Sequence, residues 1–114
     1  MRILMFRGSF SPNGEENYNG LICLCHIHKT DTDQTINTAV SKIAVHMNLR
    51  EQVVVAPFSC LDEKNTTMYF DEANAFFKRF ALKMPGTVFL PLKYSEIQLS
   101  VKPPNDFVKF IELE

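Results

Sequence analysis

The sequence predicts an α/β (α+β) domain: a single mixed β-sheet of about six strands with two helices on one face. Three observations predict it. Short apolar runs rich in β-branched residues alternate with segments of helical spacing, giving the order β-β-α-β-α-β-β-β. The β-α-β segments favour parallel neighbours, and the closing strands favour an antiparallel hairpin. The length of 114 residues, 46% apolar and 22% charged, fits one domain over 1–114. A chain of this size buries roughly two-thirds of its unfolded surface, enough for a core.

Each element has a local reason. Arg2 to Arg7 is an apolar run bounded by charge and then Gly8, and reads as the first strand. Gly8 to Asn19 is rich in Gly, Ser, Asn and Pro and reads as a loop. Leu21 to His28 reads as the second strand. Gln34 to Asn48 reads as a helix with Ile36, Val40, Ile43, Ala44 and Met47 on one face, and Thr32 or Asp33 as its N-cap. Gln52 to Pro57 contains Val53-Val54-Val55-Ala56, the pattern of a strand covered on both faces. Tyr69 to Met84 reads as a helix with Phe70, Ala73, Phe77, Phe80, Ala81 and Met84 on one side and Phe76 off that stripe. Pro85-Gly86 ends it. Thr87 to Leu92 is a further strand. Ser95 to Lys102 alternates Ile97, Leu99 and Val101 with polar residues, as a half-buried strand does. Pro103 to Asp106 reads as a turn and Phe107 to Leu113 as the last strand.

Composition narrows the function classes. The net charge is -1, and Lys and Arg are scattered with only Lys78-Arg79 adjacent, so no basic stripe for strong nucleic-acid binding is present. No apolar run approaches the roughly 18 residues of a membrane helix. The opening apolar stretch is closed by Arg7, too short for a signal peptide. Three cysteines cannot make a disulfide framework. A cytoplasmic protein with reduced thiols is expected.

Cys23-Leu24-Cys25-His26-Ile27-His28 holds two cysteines and two histidines in six residues. Along a strand the side chains alternate, so the thiols face one way and the imidazoles the other, and one tetrahedral ion cannot collect all four. The reading is two buried thiols packed as hydrophobes, with the histidines on the opposite face and no metal site. Cys60 sits just after the Val53–Ala56 strand, where α/β sheets place their sites. No base adjoins it in sequence, so a structural thiol competes with a reactive one there. Ser9 and Ser11 lie in neither a phosphate loop nor a nucleophile elbow.

Four stretches in order resemble the N-terminal editing domain of archaeal threonyl-tRNA synthetases, which has a D-aminoacyl-tRNA deacylase-like fold. They are Met1-Arg2-Ile3-Leu4, Leu21 to Asp31, Val53 to Leu61, and Gly86 to Pro91 with Tyr94 and Leu99-Ser100-Val101-Lys102. The resemblance spans nearly the whole chain, and Val53-Val54-Val55-Ala56-Pro57-Phe58-Ser59-Cys60-Leu61 is its best stretch. It implies an aminoacyl-tRNA deacylase that hydrolyses serine mischarged onto threonine tRNA, without a cofactor. It places His28, Cys60 and Tyr94 at the catalytic positions and Ala56, Pro57, Phe58 and Ser59 around the substrate. It also implies contact with the tRNA acceptor end, a homodimer, and membership of a larger synthetase.

The chain departs from the family at three places. Cys60 stands where the family has a pocket histidine, His28 where it has an acidic residue, and Tyr94-Ser95-Glu96 where it has a Tyr-Lys pair. Two alternatives therefore stand beside the hydrolase. One is a catalytically inactive relative that binds a ligand or a protein. The other is an unrelated small α/β binding protein.

Overall fold

Strand β1 (Arg2–Ser11) organises the sheet. The computed structural model describes residues 1–11, 16–57, 70–90, 98–101 and 108–113. After β1 come β2 (Tyr18–His26), α1 (Asp33–Ala44), β3 (Val53–Pro57), α2 (Phe70–Lys83), β4 (Val88–Phe89), β5 (Gln98–Val101) and β6 (Val108–Glu112). They form one mixed sheet of six strands in the order β4-β3-β2-β1-β5, with β6 also on β1. β1 pairs antiparallel with β2, β5 and β6, whereas β2, β3 and β4 are mutually parallel. Successive crossovers from β2 to β3 to β4 step in one direction, so right-handed connections put both helices on one face.

That face holds Ile3, Met5, Cys23, Cys25, Val53 and Val55, packed under Ile36, Ala39 and Ile43 of α1 and Phe76, Phe77 and Phe80 of α2. The opposite face holds Phe6, Phe10, Ile22, Leu24, Val54 and Ala56, all buried, and among the described residues no helical residue joins them. Two buried faces explain the unbroken Val53–Ala56 run. On α1, Ala44 and Met47 are exposed, because the helix ends at Ala44 rather than continuing to Asn48. Its start is set by Thr32, whose N–H donates to Thr35 Oγ1 at 3.0 Å. On α2, Phe76 is buried rather than off the stripe, and its outer ring face lies 5.5 Å from the Arg79 guanidinium. Phe76 joins Phe77 and Phe80 in the same core cluster, so the buried stripe of α2 is wider than the sequence spacing suggests. The side chains of Phe70 and Ala73 lie outside the described residues.

Two further expectations are corrected. The segment from Gly8 to Asn19 is not all loop: β1 runs to Ser11, β2 begins at Tyr18, and Phe10 pairs with Tyr18. Gly8 faces Gly20 there, so the turn-like composition reflects close packing within a ladder. The closing strands do not form a hairpin. Val101 pairs with Gly8 and Val108 with Phe6, so β5 and β6 lie end to end along the same side of β1. The expected turn from Pro103 to Asp106 lies outside the described residues. Pro103 and Pro104 lack the N–H a ladder requires.

The ends of the sheet are tied by a buried charge. The Met1 ammonium donates to Asp31 Oδ1 at 2.8 Å and to the Leu113 carbonyl at 3.2 Å. Asp31 Oδ2 accepts the His28 N–H at 2.8 Å. Both charged groups are almost fully buried. Asp31→Asn should leave the ammonium without its counter-charge and lower stability by roughly 3–5 kcal/mol, read as a lower guanidinium midpoint at unchanged slope. At the other end, Gly20 has φ 142. A Cβ there would run into the Gln52 carbonyl, which already accepts the Leu21 N–H. Gly20→Ala should cost roughly 1–3 kcal/mol in the same measurement.

Candidate active site at the carboxyl ends of β2 and β3

Parallel β2 and β3 end together, with Cys25 opposite Pro57. Loops leaving such strand ends are where open α/β sheets bind their ligands. His28 lies two residues beyond β2 and is held from three directions. Its carbonyl accepts the Asp31 N–H at 2.9 Å, its own N–H is bound by the Asp31 carboxylate, and its ring Nδ1 is 2.9 Å from Thr30 Oγ1. The ring is half-buried. Engagement of Nδ1 leaves Nε2 as the nitrogen available to a reactant. With the proton on Nδ1, Nε2 accepts and can orient water; with the proton on Nε2, that nitrogen can donate to a developing oxyanion.

His26 lies beside it. The two rings meet edge to face, with centroids 6.4 Å apart, and His26 is buried. Alternation along the strand puts both imidazoles on the side away from the helices. Neither His26 nor Asp31, the residue that fixes the turn, stands among the site residues the sequence predicts. The signal for both was local: a histidine two residues before another, and an aspartate closing His28-Lys29-Thr30-Asp31.

Of the substrate-side residues, Ala56 is fully buried, on the same sheet face as Leu24. Pro57 is the last residue of β3 and half-buried. The structure thus brings His28, Ala56 and Pro57 to one end of two adjacent strands. Phe58, Ser59, Cys60 and Tyr94 lie outside the described residues, as does the expected meeting of Tyr94 with the loop from Pro57 to Cys60. Among the described residues no three His, Cys, Asp or Glu side chains gather as a metal site. Nor is any described helix long and apolar enough to cross a membrane.

The chain superposes along its full length on a solved structure titled c-Myc DNA Unwinding Element Binding Protein. The TM-score is 0.71 at 15% identity, covering 100% of this chain and 99% of that one. The two share a fold. No protein-family model and no curated protein sequence matches the chain.

The neighbouring thiols belong to the core and not to the site. Cys23 and Cys25 are buried on the helix side of β2. Burial pushes Cys23 up to about 12 and Cys25 well above its ordinary value. Both should resist iodoacetamide in folded Cys60→Ser protein and react once it is unfolded. A raised thiol value means the unfolded chain releases its protons first, from about pH 9 upward. Stability should therefore be flat below that pH and fall above it, by about 1.4 kcal/mol per unit for each thiol, until the folded value is passed. Denaturant titrations between neutral pH and alkaline pH check the sign.

Proposed function

We propose that the chain is an aminoacyl-tRNA ester hydrolase that clears serine from threonine tRNA, with its site at the carboxyl ends of β2 and β3. The observation that carries this reading is His28: a half-buried imidazole, fixed by Asp31 and Thr30, beside the exit of a parallel strand. The ordered likeness of the sequence to editing domains adds its support. So does the fold class, a mixed sheet with helices on one face.

The physical problem such an enzyme solves is small. Serine lacks one methyl group of threonine, a difference worth only about 1–3 kcal/mol in a binding pocket. A second, hydrolytic site multiplies that discrimination. Ester hydrolysis then needs an oriented water and donors for the tetrahedral oxyanion. In this reading His28 Nε2 handles the water or the oxyanion. Backbone N–H groups beyond Pro57 and the side chains of Cys60 and Tyr94 complete the pocket. In this reading the chain contacts only the acceptor end of the tRNA, and grip on the rest comes from further domains of a synthetase.

A second reading is favoured by one observation. Ser95-Glu96 stands where editing domains have lysine after the tyrosine, which fits a relative that binds but does not hydrolyse. The name of the structural neighbour describes DNA binding by that protein. The scattered basic residues and net charge of -1 give this chain little basis for the same role.

Release of serine from serine-charged threonine tRNA, with threonine-charged tRNA as control, separates these readings. The hydrolase reading expects selective release of serine. His28→Ala should then slow it by about 10²-fold or more at unchanged thermal stability. Absence of release above the uncatalysed rate, with folded protein, would leave the binding-domain reading standing.

A further inference from the structure

The outer edge of β6 has the features of a strand-docking surface. Leu113 exchanges hydrogen bonds with Met1: its N–H donates to the Met1 carbonyl at 2.8 Å and its carbonyl accepts the Met1 ammonium. In an antiparallel pair the bonded positions alternate. Ile111 and Lys109 therefore turn their backbone groups toward β1, and Glu112 and Phe110 turn theirs away. Among the described residues no strand lies on that outer side.

The side chains flanking this edge differ on its two faces. On the helix face an open groove of about 480 Å³ runs between β6 and the last turns of α1. It is lined by Lys42, Val45, His46, Lys109 and Ile111 among others. Lys42 and Lys109 are exposed, and Val45 is 77% exposed. On the other face Phe110, opposite Leu4 in register, is 52% exposed. Among the described residues Glu112 is the one acidic residue lining the groove; it shares a sheet face with Arg2, whose Nε donates to its carboxylate at 3.4 Å. Nearby, Arg7 is held by Glu51 and by the His46 carbonyl. The His46 imidazole is held below the ordinary histidine value by partial burial and then by Lys109 and Arg7. Lys42 and Lys109 line the groove and Lys109 and Arg7 act on His46 as positive neighbours, so cationic groups predominate there.

We propose that β6 binds an extended acidic segment of a partner protein as an added strand. Backbone groups of Phe110 and Glu112 would pair with the segment. Its carboxylates would lie over Lys42, His46 and Lys109, and apolar side chains of the alternate set would cover Phe110. Charge decides between occupants. A second copy pairing antiparallel through β6 would bring two Lys109 residues, and with them two cationic grooves, onto the same face. An acidic strand neutralises that face instead.

The test uses the whole chain and an N-acetylated eight-residue peptide alternating glutamate and valine. A lysine–valine peptide and single-stranded oligothymidine serve as comparisons. Binding of the acidic peptide is expected, with slowed amide exchange at Phe110 and Glu112. Lys42→Glu with Lys109→Glu should weaken it at least about tenfold, a change of exposed side chains that leaves the circular dichroism spectrum unaltered. Four results would overturn the proposal. They are no binding, binding without protection of those two amides, preference for the oligonucleotide, or a mass of twice 13.1 kDa that blocks the peptide.

Discussion

The Met1 ammonium and the Asp31 carboxylate form the interaction on which the upper end of the sheet depends. Three segments far apart in sequence meet there: the start of β1, the turn after β2, and Leu113 beyond β6. Burying two charges is costly, and their attraction repays this only when geometry is good and other partners are satisfied. Here the ammonium has two acceptors and the carboxylate two donors. An apolar replacement of the whole set could be as stable, so the net energy is not the point. The clamp fixes register. A slip of β1 by one residue would carry Ile3 and Met5 to the wrong face and strand both charges. The same carboxylate fixes the His28 backbone, so the device that sets strand register also sets the site.

β1 is the other half of that constraint. It is the strand that runs against its neighbours, and both of its long sides are paired, with β2 on one and with β5 and β6 on the other. Residues on both of its faces are buried. Ile3 and Met5 lie under the helices, and Phe6 and Phe10 lie on the far side. The parallel trio of β2, β3 and β4 then grows from it. This arrangement leaves the outer edges of β4, β5 and β6 as the places where the sheet can extend among the described strands.

How much of this was legible in the sequence follows from where the signal is local. Val53-Val54-Val55-Ala56 declares a doubly covered strand by itself. Helices α1 and α2 declare themselves by apolar spacing, and Pro85-Gly86 marks an end. The upper part of the first hairpin was hidden, because Gly8, Ser9, Asn19 and Gly20 carry turn chemistry while being paired across a ladder. Only Phe10 hints at burial there. Phe76 falls just outside the stripe that Phe77, Phe80 and Met84 define, yet it is buried with them because the sheet covers a wider arc of α2 than that stripe marks. The end-to-end placement of β5 and β6 was invisible, since a turn signal between two apolar runs is the same for a hairpin and for an interrupted edge.

The site divides in the same way. Alternation along Cys23–His28 was enough to send the thiols into the core and the imidazoles to the other face. It could not say that Asp31 would be consumed by the chain's own ammonium. That contact joins residues thirty apart and depends on the register of β1. Its consequence for chemistry is specific. A carboxylate two hydrogen bonds deep in a structural clamp is not free to act as a base, although it lies three residues from His28. In the proposed site the proton-handling role therefore falls to the His28 ring rather than to Asp31. Asp31 acts on it only as the support that holds its backbone in place, and Thr30 as the partner that determines which ring nitrogen faces outward.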